Sequence, residues 1–283
     1  MLICRSVYGL EEFMARVSSF IAKNNVNFFY LLALLWACHS QSAEGISYTL
    51  SDNIRIESKL LGYALQYRVL APTNGTKAGY LDVIYINDGQ DYLQEGNLDS
   101  IIRQLTLQEK IKPVMAVFVD SRDPDNLRDN RRHSQFMCNR KYALFFEHEL
   151  IPTVEASFEI QGATKKRLIM GLSFGALSAG CFGILLPDTF GYVAMQSPAS
   201  DKHLEILRKI YLQTPVQPTK YFVTIGTRND NTRAGRELLR DLRKLGYNVT
   251  SYEVAQGHNW RNWRSKLEDI FIWFSTDSSA EDL

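Results

Sequence analysis

Residues 171–175 read Gly-Leu-Ser-Phe-Gly, a serine held between two glycines. The apolar run "KRLIM" precedes them and the small-residue stretch "ALSAGCFGILL" follows. A G-x-S-x-G pattern between a strand and a helix presents one hydroxyl on a sharp, strained turn. Glycine at Gly171 and Gly175 lets neighbouring backbone pass without a Cβ clash. The helix N-terminus behind Ser173 favours negative charge, and the Phe174 N–H is placed to receive a developing oxyanion. The motif alone recurs by chance; its setting between strand and helix gives it meaning.

A serine hydroxyl needs a base, and in this setting the chain order is Ser, acid, His. The histidines are His39, His133, His148, His203 and His258. His203 falls early in an amphipathic stretch, where a solvated position is expected. His258 stands in "AQGHNWRNW", after the final strand and before the final helix, with Gly257 giving the loop freedom. It is the expected base. The acid is expected just past the strand "YFVTIGT", at Asp230, where it would hold the imidazole tautomer. The competing role for Asp230 is the N-cap of the helix that follows, and the two roles could be divided, with Asn231 or Thr232 capping. Glu237, inside that helix, is a weaker acid candidate. A second oxyanion donor is expected in "INDGQD", where Gly89 permits a turn that aims the Gln90 N–H inward; an ordinary Asp-Gly turn has the same sequence.

These residues need a frame. "NIRIESKLLGYALQYRVLAP" (53–72) reads as a hairpin turning at Leu61-Gly62. Residues 80–88 and 113–121 read as strands buried on both faces. The spacing predicts helices over 98–110 and 140–158, the latter divided or kinked at Pro152. Strands at 166–171, 192–197, 220–227 and 248–255 then alternate with helices at 173–186, 201–213, 232–246 and 260–274. Such alternation implies an α/β domain with a mostly parallel sheet, helices on both faces and an antiparallel N-terminal hairpin.

The chain has 283 residues, with 32 Lys plus Arg against 31 Asp plus Glu. That balance gives no reason to expect nucleic acid as a partner. "FFYLLALLWAC" (28–38) is apolar but shorter than the roughly 20 residues of a spanning helix. Arg16 and Lys23 precede it, and small or polar residues to Ala43 follow. Residues 1–43 therefore read as a signal peptide cleaved near Ser42 or Ala43, or as a retained N-terminal membrane anchor, with 44–283 as the functional domain. The location expected is secreted or periplasmic. Leu35-Trp36-Ala37-Cys38 also loosely fits a lipoprotein site. Beyond that segment only Cys138 and Cys181 remain; an oxidising compartment permits a bond, but two buried free thiols are slightly favoured. No cysteine–histidine cluster points to a metal.

The stretches "NDGQDYLQEG", "GLSFGA", "GTRNDN" and "GHNWRNWRSKL", with "ELIP" (149–152) and "SPAS" (197–200), resemble the "putative esterase" family. That family includes enterochelin (siderophore) esterases, esterase D, feruloyl and acetyl-xylan esterases and mycolyltransferases. The resemblance covers roughly residues 46–275 and implies an α/β-hydrolase fold, a Ser173–Asp230–His258 site, Gln90 and Phe174 oxyanion amides, a small-molecule ester substrate and no cofactor or metal. The "GHNWRNWR" stretch and residues 120–142 look closest to the siderophore-esterase branch, and an acyltransferase or carbohydrate-side esterase stays open beside it. Arg131 and Arg132, with Arg128, could bind an anionic or catecholate substrate; the usual reading of such a charge run is pairing with Asp123, Asp125 and Asp129 in a solvated loop.

Overall fold

The computed structural model describes residues 46–73, 81–158 and 166–276. The segment 1–43, expected to be a leader or anchor, lies outside them. The chain enters the sheet through three antiparallel strands, β1 (Tyr48–Leu50), β2 (Ile54–Ser58) and β3 (Tyr63–Pro72). The expected hairpin turn closes at Gly62, whose φ of 78° suits glycine. Strand β4 (Asp82–Asn87) runs into helices α1 (Gly89–Gln94) and α2 (Leu98–Leu107), then β5 (Val114–Asp120) follows. Next comes a small arm of β6 (Arg122–Asp123), β7 (Asn126–Asn130) and α3 (Arg132–Phe136). Helices α4 (Arg140–Phe145) and α5 (Ile151–Ser157) lead to β8 (Arg167–Leu172) and α6 (Phe174–Leu185). The chain finishes as β9 (Tyr192–Gln196), α7 (Asp201–Gln213), β10 (Lys220–Gly226), α8 (Thr232–Leu245), β11 (Asn248–Val254), α9 (Trp260–Arg264) and α10 (Leu267–Thr276).

The strand order is β1-β3-β5-β4-β8-β9-β10-β11, with β2 pairing β3 beside β1. From β5 to β11 every pairing is parallel, while β3 meets β5 antiparallel. This is the α/β-hydrolase fold. Parallel strands need crossover helices, so both faces of the sheet are covered. Alternate residues divide accordingly. Tyr85, Ile169, Val193 and Val223 point to one face, against Phe146, Phe182, Leu207 and Leu238. Ile84, Met170, Ala194 and Phe222 point to the other, against Ile102, Leu105, Ile270 and Phe274. The carboxyl ends of β4, β8, β9, β10 and β11 share one edge of the sheet, where the loops can converge.

Some elements differ from the expectation. The stretch 140–158 is not one helix: a π turn over Phe146–Leu150 joins α4 to α5. It sits directly before Pro152, which has no N–H for the carbonyl four residues back. The closing helix divides after Arg264. The helix expected at 98–110 stops at Leu107, since Glu109 takes a φ of 55°. Helix α1 and the arm were not foreseen; each is too short to show a period. Cys138 and Cys181, slightly favoured as free thiols, form a disulfide with Cα atoms 5.4 Å apart. The bond ties the end of the arm to α6. The separation of 43 positions along the chain hides that neighbourhood from a linear reading.

Candidate active site

Ser173 stands between β8 and α6 with φ 53° and ψ −119°. That is the first central conformation of a type II′ turn, which glycine dominates. A serine there is strained, and the surroundings hold it. Its N–H donates to Gln196 O at 2.9 Å, and its carbonyl accepts from Leu177 and Ala199 N–H at 3.1 Å each. The two glycines have separate reasons. A Cβ on Gly171 would lie 2.4 Å from the Gly175 carbonyl carbon. A Cβ on Gly175 would lie 2.8 Å from Asp88 Oδ2. Real Cβ atoms do not approach so closely: at Gly171 the obstacle is backbone and requires glycine, and at Gly175 a side chain would have to displace the Asp88 carboxylate.

His258 reaches Ser173 from the loop between β11 and α9. Its Nε2 lies 2.9 Å from Ser173 Oγ and its Nδ1 2.8 Å from Asp230 Oδ1. The imidazole edge packs against Trp263, ring centroids 5.1 Å apart. Gly257 is needed here, because its Cβ would fall 2.8 Å from Arg228 O. Asn259 caps the short helix behind the loop, accepting from Arg261 and Asn262 N–H. The His258 side chain keeps 32% of its surface exposed, so water can reach it.

The Asp230 side chain is 1% exposed and fully occupied. Oδ2 accepts from Gly226 N–H and Ser197 Oγ, each at 2.6 Å, with Asn262 Nδ2 at 3.4 Å. Oδ1 accepts from Asn231 N–H at 2.8 Å besides facing His258. Burial pushes the carboxyl pKa up, but the bonds from His258, Ser197, Gly226 and Asn231 outweigh it and hold the group below the ordinary aspartate value. An ionised Asp230 places the imidazole proton on Nδ1, which leaves Nε2 free to accept from the serine hydroxyl. Of the two roles open to Asp230, it faces the histidine. Asn231 occupies the N-cap of α8, but its side chain donates instead to Ala199 O at 2.6 Å.

Gln90 and Phe174 are the second and first residues of α1 and α6. Amides so early in a helix have no partner within it. The two helix starts are packed together: Asn87 Nδ2 donates to Gly175 O at 3.2 Å, beside the Asp88–Gly175 approach. A cleft of about 340 Å³ opens beside Ser173, walled by Phe174, Ser200, Asn229, Asn231 and His258. The Phe174 ring meets two imidazoles edge-on, His203 at 5.0 Å and His133 at 6.2 Å. His203, expected to be solvated, is half-buried, with Nδ1 2.7 Å from Ser200 Oγ.

Arg131 and Arg132 are not free to meet an anion. Arg131 pairs with Asp123 and with Asp129, donates to Ala64 O and lies 4.3 Å over the Tyr63 ring. This is the pairing with loop aspartates that the sequence left open. Arg132 instead forms a bidentate pair with Asp88, which linear reading missed, since 44 residues separate them. Sequence reasoning also missed Ser197 and Asn262 as hydrogen-bond partners of Asp230. Ser197 leaves β9 with a φ of 45°, a feature that no residue type signals. Among the described residues no group of three or more His, Cys, Asp or Glu side chains is arranged to hold a metal ion.

Comparison with known proteins follows the same direction. The family described as "Putative esterase" matches residues 58–274. "Uncharacterized protein YjcH" of Bacillus subtilis (strain 168) is 27% identical over 216 residues, which is 73% of this chain and 90% of that protein. The iron(III) enterobactin esterase of Escherichia coli (strain K12) is 24% identical over 197 residues, covering 66% of this chain and 48% of that one. The chain thus spans about half the length of the curated enterobactin esterases that it matches. The solved enterobactin esterase FES of Shigella flexneri, in the presence of enterobactin, superposes with a TM-score of 0.70 at 23% identity, over 84% of this chain and 61% of that chain. That likeness is one of fold.

Proposed function

Because the chain belongs to the putative esterase family, we propose that it is a serine esterase whose nucleophile is Ser173, with His258 as base and Asp230 as the acid behind it. The observation that carries the proposal is the continuous chain from Ser173 Oγ to His258 Nε2 at 2.9 Å and from His258 Nδ1 to Asp230 at 2.8 Å. Ser173 Oγ attacks the ester carbonyl as its proton passes to His258 Nε2. The oxyanion formed is held by the Phe174 and Gln90 N–H groups. Asp230 keeps the imidazole in register and stabilises its positive charge. The C–O bond to the alcohol then breaks, and His258 gives the alcohol the proton. Water attacks the acyl-enzyme by the same route and releases the acid and Ser173.

For the substrate we propose a siderophore-type ester or lactone, supported by the similarity to enterobactin esterases. A secreted or periplasmic location belongs to the same proposal. The Cys138–Cys181 bond supports it, because such bonds persist in oxidising compartments.

The test is labelling with a fluorophosphonate probe, beside Ser173→Ala and His258→Ala, the labelled residue being read by mass spectrometry. The expected result is a label on Ser173 that both variants lose. A folded wild-type protein that takes no label overturns the proposal. Rates on a catecholate trilactone against feruloyl and acetyl esters then decide the substrate. Product analysis with an added alcohol acceptor separates hydrolysis from acyl transfer.

A further inference from the structure

The turn that carries Gly89 and Gln90 is built on a buried charge. Asp88 has no exposed surface and takes left-handed backbone, φ 57°. A carboxylate shut away from water needs a partner and hydrogen bonds. The partner is Arg132 at the start of α3, whose Nε and Nη2 donate to Oδ1 and Oδ2 at 2.7 and 2.9 Å. Around Arg132 the arm is fastened elsewhere as well: Arg122 grips Asp120 at 2.7 Å, Arg131 rests on Tyr63, and Cys138 is bonded to Cys181. On its other side Asp88 abuts the serine turn, since Oδ2 fills the space where Gly175 would carry a Cβ. Asn87 beside it bridges Gly175 O and the Tyr142 hydroxyl, each at 3.2 Å. Asp88 therefore joins the arm, the Gln90 turn and the Ser173 turn.

We infer that the Arg132–Asp88 pair is a positioning device that holds the Gln90 turn in register with the Ser173 turn, so that Arg132 acts through Asp88 and not on the substrate. The inference rests on the proposed roles of Ser173, Gln90 and Phe174. Arg132 is suited to this work because its planar fork fixes both oxygens of Asp88 at once, which a lysine cannot do. An amide donor displaced by about 1 Å can lower turnover on the order of 100-fold. The oxyanion contact forms in the transition state, so the loss falls on kcat and leaves KM in place.

The test compares the full chain with Arg132→Gln, Arg132→Lys, Asp88→Asn and the Arg132→Gln/Asp88→Asn double variant. Asn at position 88 tolerates the left-handed backbone, so that variant removes the charge with least disturbance. The readouts are kcat and KM on p-nitrophenyl acetate, the rate of fluorophosphonate labelling at Ser173, and thermal melting. Expected for Arg132→Gln and Asp88→Asn is a loss of about 10- to 100-fold in kcat with KM within about 2-fold. Arg132→Lys should restore part of it, and the double variant should be no worse than the poorer single, because both break one link. A folded Arg132→Gln or Asp88→Asn with wild-type kcat overturns the inference. So does a loss confined to KM, which would place Arg132 on the substrate. If Arg132→Gln does not fold, Asp88→Asn and Arg132→Lys decide by the same criteria. Failure of the wild type to label at Ser173 refutes the esterase proposal itself, a result distinct from labelling that these substitutions leave unchanged.

Discussion

Replacing Asp230 by Asn changes one oxygen into an NH2 group, and the structure says where that group goes. At the Oδ2 position it would face the Gly226 N–H and the Ser197 hydroxyl, each at 2.6 Å, and the Asn262 amide at 3.4 Å; the hydroxyl can turn to accept, but the Gly226 N–H cannot, and the other two bonds to that oxygen would be disturbed with it. At the Oδ1 position it would face the Asn231 N–H at 2.8 Å and the His258 ring nitrogen at 2.8 Å. The histidine can change from donor to acceptor by shifting its proton, and this placement keeps the three bonds that Oδ2 accepts from Gly226, Ser197 and Asn262. The amide therefore settles with NH2 towards His258, and the ring proton moves to Nε2. Nε2 then has no lone pair for the Ser173 hydroxyl. The expected loss is on the order of 10⁴-fold in kcat, about 5 kcal/mol of transition-state stabilisation. The opposed N–H groups add a stability loss of about 1–3 kcal/mol. Turnover of p-nitrophenyl acetate measures the first, denaturant unfolding the second, and nitrogen-15 NMR of His258 reads the tautomer directly. A folded Asp230→Asn that keeps its proton on Nδ1, or keeps kcat within tenfold of wild type, refutes the reasoning.

Ser173→Gly should abolish turnover yet raise stability by about 1 kcal/mol, because glycine adopts the φ 53°, ψ −119° turn without strain; a lower melting temperature than wild type would count against strain at this residue. Burial pushes the Asp88 carboxyl up to about 6, with Arg132 pulling it down and Asp91 and Asp120 adding to the rise. A folded pKa above the unfolded one stabilises the protein fully below about pH 4, and the effect is lost as pH rises through about 6. Wild type should therefore gain on Asp88→Asn by about 1–3 kcal/mol between about pH 7.5 and 4.5. Asp230 shifts the opposite way in both proteins and cancels from this comparison. Parallel stability curves for the two would show that Asp88 is not protonated in that range.

Much of the frame was legible because its signals are local. Buried parallel strands are short apolar runs, and 82–87, 114–120 and 220–226 appear in the structure close to where their composition put them. The serine turn was legible for the same reason: both of its glycines stand where a Cβ would crowd a neighbour, the Gly175 backbone at Gly171 and the Asp88 carboxylate at Gly175, and they lie within two residues of Ser173. Where signals were weak, boundaries moved. The arm of 122–136 has elements of two to five residues, too short for a period to emerge. Pro152 marked the disturbance in 140–158, but its form, a π turn, depends on how the flanking helices pack.

Through local signals the sequence specified the α/β alternation, the serine turn between two glycines, and His258 as the histidine in a loop after the last strand. It left Asp230 between two roles, because a carboxylate before a helix serves equally as a cap and as a partner for histidine. Chain packing separates the two, because Ser197, Gly226 and Asn262 converge on one oxygen while His258 meets the other. It also decided the fate of the charged arm. Arg131 and Arg132 are adjacent in the chain, yet one rests on Tyr63 and Asp123 and the other enters the core to meet Asp88. Side-chain type fixes what a guanidinium can bind. Which carboxylate it meets is set by strand order and loop closure, which bring residues 44 apart to 2.7 Å, and no local pattern encodes that distance.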